Sequence, residues 1–439
     1  MSVKMRLRDF LCIAVLTCAV TGSAANPSYT VLHRFVDGKF SARPLAPLIA
    51  DGAGNFYGTA SAGGNGGCVR YGSTGCGTVF ELTRSSAPGG PWTENVLFRF
   101  AGGSKPWWPM AGLTMDAAGN FFGTTTDSPY GAPDSCVPGD YCGSAFQLTP
   151  PSKPLGAWTE TDLYRFNPDT DGVPSFSGLV PDDKGNLYGT TCTGGPNFNG
   201  TVFQLTPPPK AGSWWTKTSL IGFHRDESCP SGNVVFDGAG NLYGTTFYGG
   251  SQNLGLVFML TPPAKPGAHW TKTVLFEFGS NTCFPQTNPI FDGSSNLYGT
   301  ARGCPAFPGA VFRLTPPRQP GGSWTETVLV TFEGSNGDSP TAGLIFDDAG
   351  NLYGTTENGG AYGHGTIFQL KPPAGNDAGE TTGWTETILH SFNEGGGDVP
   401  WVGPIFGMGG ALYGTTSDGG YRRGVCKVAG CGAVFKVAP

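Results

Sequence analysis

Few residues of this chain could carry out acid–base chemistry, and the densest group of them is the run FHRDESC, Phe223 to Cys229. It sets His224, Arg225, Asp226 and Glu227 side by side: an imidazole that exchanges protons near neutral pH, two carboxylates and a guanidinium able to hold an anion. A solvated polar loop has the same composition, so the run by itself leaves both readings open. The chain has five histidines. His33 and His390 share one position of a repeat and read as structural, and His269 falls in a loop on the opposite face from the other candidates. His224 and His364 remain as acid–base candidates. There is no GxSxG elbow, HExxH pair, phosphate loop, EF-hand loop or CxxC pair, so neither a metal centre nor a cofactor is expected.

A second set of residues suits binding rather than proton transfer. Trp107 and Trp108 in SKPWWPMAG and Trp401 in DVPWVGP stand outside the repeat pattern. With Phe40 and Arg43 they are expected to form an arc on one face, where aromatic rings beside polar groups stack on sugars or on a partner's apolar side chains. Large rings at such a place also simply bury area, as plugs.

The elements that must position these residues follow from a repeat. The core Asn-x-[Tyr/Phe]-Gly-Thr begins at Asn55, Asn120, Asn186, Asn241, Asn296 and Asn351, and a seventh copy, Ala411-Leu-Tyr-Gly-Thr, lacks the asparagine. Within one unit, GLIFD (Gly343 to Asp347) and NLYGTT (Asn351 to Thr356) read as a hairpin. GTIFQLKP (Gly365 to Pro372) reads as a third strand ended by proline, and WTETILHSF (Trp384 to Phe392) as a fourth. No segment has a helical period. Four antiparallel strands in each of seven units predict an all-β, seven-bladed β-propeller.

YTVLHRF (Tyr29 to Phe35) matches the fourth strand and GAVFKVAP (Gly432 to Pro439) the third. The N-terminal strand is therefore expected to complete the last blade and close the ring, which removes a free sheet edge. An open solenoid would need caps that the sequence does not show. Residues recurring in every unit, such as Asp237, Asn241, Tyr243, Thr245 and the tryptophans at 92, 158, 215, 270, 324 and 384, then read as frame. Function is expected where units differ.

Charged residues make up 13%, with 72 Gly and 37 Pro, as short strands and tight turns require; the net charge of −6 disfavours nucleic acid as a partner. Residues 1–25 have the form of a signal peptide: a basic start, the apolar FLCIAVLTCAV, too short for a permanent span, and small residues near Ala25. Val15-Leu16-Thr17 before Cys18 departs from a lipobox. No other membrane segment is expected, and residues 26–439 read as a single domain of a monomeric, secreted or periplasmic protein.

Of 12 cysteines, Cys12 and Cys18 lie in that leader; the other ten suit an oxidising compartment. Placed on the repeat, all fall in loops of one face. The expected pairs are Cys68 with Cys76, Cys136 with Cys142, Cys426 with Cys431, Cys192 with Cys229 and Cys283 with Cys304.

The unit Asp-x-x-Gly-Asn-Leu-Tyr-Gly-Thr-Thr, followed by Gly-Thr-Val-Phe-x-Leu-Thr-Pro-Pro and Trp-Thr-Glu-Thr-Val-Leu, resembles the GloVer-type tandem repeat of exported bacterial proteins from about Tyr29 to Val437. The resemblance implies a secreted or surface repeat protein, often with a C-terminal sorting anchor, and carries over no catalytic residues. This chain stops at the closing strand without a sorting tail, which favours free secretion. Two functions remain: a module binding a glycan or an extracellular protein through Trp107, Trp108, Trp401, Phe40 and Arg43, or a polysaccharide lyase or hydrolase using His224, Arg225, Asp226, Glu227 or His364. Sparse ionisable residues favour binding. Convergence of His224 and His364 with a carboxylate would favour catalysis.

Overall fold

The computed structural model describes residues 27–439 apart from 37–38, 71–72, 88, 103–106, 127–141, 154–155, 175, 211, 266, 281, 287, 305–306, 320, 374–382, 421–425 and 427–429. The expected signal peptide and Cys136 lie outside the described residues.

Seven four-stranded antiparallel sheets stand around a central channel. In strand order, blade 1 contains Ile49–Ala50, Phe56–Ala60, Thr78–Thr83 and Thr93–Arg99, and blade 2 contains Thr114–Met115, Phe121–Thr125, Ser144–Thr149 and Thr159–Arg165. Blade 3 contains Val180–Pro181, Leu187–Thr191, Thr201–Thr206 and Thr216–Gly222; blade 4, Glu227–Phe236, Leu242–Gly249, Leu256–Thr261 and Thr271–Glu277. Blade 5 contains Ile290–Phe291, Leu297–Ala301, Ala310–Thr315 and Thr325–Thr331; blade 6, Ile345–Phe346, Leu352–Thr356, Thr366–Lys371 and Thr385–Ser391. Blade 7 contains Ile405–Phe406, Leu412–Thr416 and Ala433–Ala438, and its outer strand is the N-terminal Ser28–Arg34. The chain is thus a seven-bladed propeller closed by its N-terminal strand.

Each recurring residue has a mechanical reason. The turn aspartate staples the first hairpin: Asp347 Oδ1 accepts the amides of Ala349 and Asn351, and Oδ2 accepts Asn351 Nδ2 and the Tyr353 hydroxyl. The glycine of Leu-Tyr-Gly-Thr lies opposite the third-strand phenylalanine, as Gly244 does opposite Phe258. A Cβ on Gly244 would come within 2.6 Å of that ring. The phenylalanine in turn meets, edge to face, the one that ends the preceding blade's outer strand, for example Phe223 with Phe258 at 5.1 Å and Phe35 with Phe80 at 5.0 Å. Seven hydrophobic clusters result, one at each seam between blades, and the repeated tryptophans 92, 158, 215, 270, 324 and 384 pack against six of them.

Backbone contacts stitch the same seams on the face where second-to-third loops and the connections between blades emerge, called the loop face below. At six seams the residue before a proline is left-handed: Arg43 (φ 55°), Trp108 (69°), Cys229 (57°), Phe284 (58°), Ser339 (54°) and Val399 (57°). Such a conformation is rare for bulky or β-branched residues, so it must be held from outside. The amide of each donates to the preceding blade, Arg43 to the Cys431 carbonyl at 2.8 Å and Ser339 to that of Pro308 at 2.7 Å. The proline ring then lies on the glycine that opens that blade's third strand: a Cβ on Gly365 would meet Pro400 Cδ at 2.7 Å.

The stapling aspartates give the fold an acid limit. Burial pushes the carboxyls of Asp51, Asp182, Asp237 and Asp347 up, but hydrogen bonds from the asparagine, the tyrosine and the turn amides outweigh it and hold them below the ordinary 3.8. Groups lowered in the folded state contribute stability that is present above 3.8 and is lost as pH falls through their folded values. Glu326, Glu357 and Glu386, raised by burial, act with the opposite sign just above 4.5. The comparison of Asp347→Asn with the parent isolates the staple. The variant is expected to lose about 1–3 kcal/mol at neutral pH, the range for hydrogen bonds to a charged group. Its melting temperature should also fall less steeply below pH 4, and parallel acid limbs in calorimetry would contradict the assignment.

Candidate functional site

The loop face gathers much of the unrepeated chemistry of the described residues. All described disulfides lie on this face: Cys68–Cys76, Cys192–Cys229, Cys283–Cys304 and Cys426–Cys431. Cys142 is disulfide-bonded, and its expected partner Cys136 is outside the described residues. Cys192–Cys229 joins blades 3 and 4, whereas Cys283–Cys304 ties blade 5's incoming connection to its own second-to-third loop.

The residue following the second strand differs in every blade but two, giving Ser61, Thr126, Cys192, Arg302, Glu357 and Ser417, with Phe247 at this position inside blade 4's longer strand. Three ion pairs arise here and beside it. Arg302 reaches Glu357 at 3.3 Å across the seam of blades 5 and 6; His364 Nδ1 lies 2.9 Å from Asp398 Oδ1 across blades 6 and 7; and Arg43 lies 3.6 Å from Asp418 across blades 7 and 1. Glu357 is largely buried and surrounded by charge. Burial raises its pKa, the Arg302 charge pulls it back, and Asp338 and Asp418 push it up again. An imidazole held through Nδ1 by a carboxylate keeps Nε2 available for proton exchange, the arrangement used by acid–base histidines. Among the described residues no group of three or more His, Cys, Asp or Glu is placed to hold a metal.

The other acid–base candidates lie elsewhere. His224, Arg225 and Asp226 form an exposed turn at the connection of blades 3 and 4, three seams from His364 on the ring, so the structure does not bring the two histidines together. Glu227 pairs with Lys272, whose ammonium also sits 5.5 Å from the centre of the Phe223 ring. This pair is one version of a latch between the outer strand and the blade's incoming connection. Lys217 with Asp171 (3.1 Å), Glu326 with Thr282 (2.6 Å) and Glu386 with Asn336 (2.7 Å) are others.

The aromatic candidates occupy three different places. Trp108 is buried at 6% exposure and stacks on half-buried Trp107 at 5.8 Å. Trp107 packs against the cluster between blades 1 and 2 that includes Cys68 and Cys76. Half-buried Phe40 lies beside the Lys39 ammonium, 5.3 Å from its ring centre, and Lys39's carbonyl is held by Arg99 at the end of blade 1's outer strand. Trp401 instead lines the central channel, nearly parallel to Phe176 of blade 3 at 6.2 Å and 7°. Arg302, Glu357, Asp398, Asp418 and Phe176 were not singled out from sequence. The signal for the first two was the column after Gly-Thr-Thr, where the units diverge.

Comparisons with known proteins bear on the fold and the family. Solved structures with similar folds include an ulvan lyase, described as a new family of polysaccharide lyase and bound to -[GlcA(1-4)Rha3S]- (TM-score 0.50, 12% identity, 89% of this chain and 90% of that one). Others are a Trypanosoma rangeli sialidase (0.45, 11%, 80% and 58%) and a glucose dehydrogenase (0.43, 13%, 94% and 99%). At these identities the likeness is one of fold. No curated protein matches the sequence. The Gloeobacter/Verrucomicrobia repeat matches residues 70–306 and 285–439, and with seven such units making its seven blades, this chain belongs to that repeat family.

Proposed function

We propose that this chain is an exported, monomeric, carbohydrate-active propeller that cleaves a polysaccharide on its loop face, as a lyase or hydrolase, with His364 exchanging the proton. The observation that carries this reading is the His364–Asp398 pair at 2.9 Å, flanked in the neighbouring blades by Arg302–Glu357 and Arg43–Asp418. Asp398 orients the imidazole through Nδ1; Glu357, raised by burial, supplies a second group able to hold a proton. Disulfides on the same face suit an oxidising compartment. Among the described residues no helix is long and apolar enough to cross a membrane.

The test is turnover of a polysaccharide panel, followed by reducing-end release and by ultraviolet absorbance of unsaturated products. His364→Ala and Asp398→Asn are each expected to lower kcat by roughly 10²–10⁴-fold with a smaller change in KM, the usual contribution of a positioned acid–base group. Variants as active as the parent would overturn the assignment.

Glycan binding without cleavage is the second reading, favoured by the half-buried rings of Trp107 and Trp401 and by Arg43 on the same face, with Trp108 and Phe40 behind or beside them. Saturable binding on a glycan array with no turnover of any bound polysaccharide would select it.

A further inference from the structure

We propose that the central channel is a subsite for one neutral sugar ring, the terminal residue of the polysaccharide on which His364 acts; this rests on the reading above. The channel holds a cavity of about 240 Å³. At roughly 30 Å³ per water that is the space of about eight waters, below the range of about 300 Å³ and more that drug-sized ligands occupy. A single pyranose is of this size.

The walls of the cavity differ in chemistry. The polar side chains Ser231, Gln286, Asn288 and Thr341 all come from blades 4 to 6, beside the apolar Ile290, Leu344 and Ile345, whereas the described lining of blades 1, 3 and 7 is apolar and includes Phe176 and Trp401. A pyranose has the same division, a C–H face that lies on aromatic rings and a rim of hydroxyls. Most of the polar wall is already engaged: Asn288 Oδ1 accepts the Asn233 amide, Ser231 Oγ donates to the Pro285 carbonyl and Thr341 Oγ1 to that of Trp401. Gln286 Oε1 is buried and accepts no hydrogen bond from the described residues. A buried acceptor without a donor calls for a specific explanation, and a sugar hydroxyl provides one. Among the described residues no charged side chain lines the cavity, so a uronate or an amino sugar would enter without a counter-charge.

The cavity is tied to the proposed site through one short segment of chain. Asp398, which holds His364, begins the segment Asp398-Val399-Pro400-Trp401, and the Val399 amide donates to the His364 carbonyl at 3.3 Å. Four residues therefore lead from the acid–base pair to the channel aromatic. A chain end seated in the channel would present its nearest linkages at the blade 6–7 seam, which makes the cleavage exo-acting.

Neutral methyl pyranosides and methyl uronates are the probes, titrated by calorimetry and by saturation-transfer NMR against the parent, Gln286→Leu, Trp401→Ala and a control, Trp214→Phe, altered on the opposite face. At least one neutral pyranoside should bind saturably and no uronate should. Gln286→Leu, which removes the amide, should weaken binding at least tenfold and Trp401→Ala at least as much, with the control unchanged. If Trp401→Ala does not fold, Gln286→Leu decides alone. No saturable pyranoside binding, or parental affinity in Gln286→Leu, overturns the subsite. Pyranoside binding without turnover of any polysaccharide overturns the enzymatic reading and leaves the subsite standing; turnover without pyranoside binding does the reverse.

Discussion

A chain lacking Ser28–Arg34 is expected to yield no folded monomer. That segment pairs with Ala433–Ala438 from Ser28 opposite Ala438 to Arg34 opposite Ala433. Its side chains also tie blade 7 to both neighbours: Tyr29 stacks on His390 of blade 6 at 3.7 Å, and His33 Nε2 lies 3.0 Å from Glu94 of blade 1. Without it, the strand carrying Val434, Phe435 and Val437 becomes an unprotected sheet edge. The loss exceeds any single side-chain truncation, and for a fold with a total stability of about 5–15 kcal/mol it is expected to be decisive. Light scattering after size exclusion, with thermal melting, reads the outcome. A monomer melting with the parent would mean that the ring does not depend on this closure.

The second large effect is at the packing unit repeated in every blade. Phe258→Ala empties a fully buried site between Phe223 and Gly244 and is expected to cost about 3–5 kcal/mol. Gly244→Ala is expected to cost about 1–3 kcal/mol by overpacking against the ring. Because both penalties involve the same 2.6 Å approach, they should not add. Gly244→Ala placed on Phe258→Leu should cost clearly less than on the parent, as read from urea-denaturation midpoints. Additive costs would show that the glycine is required for some other reason.

The frame was legible in the sequence because each blade must present the same two surfaces to its neighbours, so Asp, Asn, Tyr, Gly and Thr recur in one order. The closing strand was legible because Tyr29 to Phe35 repeats the outer-strand pattern. The inner strands were read too long. GLIFD forms a ladder only at Ile345–Phe346, because the chain just before it is held across a seam instead, Thr300 Oγ1 donating to the Ala342 carbonyl, as Thr355 Oγ1 does to that of Val402 before blade 7's inner strand.

The site was harder to read because its residues come together only when blades pack against one another. His364 and Asp398 lie on different blades, and Trp401 faces Phe176 across the channel from more than half the chain away. Nor did the left-handed positions betray themselves. Arg, Trp, Cys, Phe, Ser and Val share no conformational preference, and it is the neighbouring blade's carbonyl that holds them.

The strand that closes the ring also sets when the ring can form. Ser28–Arg34 is synthesised before every other strand, and its partner, Ala433–Ala438, after every other one. Pairing between segments so distant in sequence is slow, since the entropy of closing the intervening chain is lost before any contact is made. Six blades can assemble from local hairpins as they emerge, while the seventh stays incomplete until Ala433–Ala438 has been made. Closure of the ring is then the last, all-or-none step of folding, taken only after every other blade is in place.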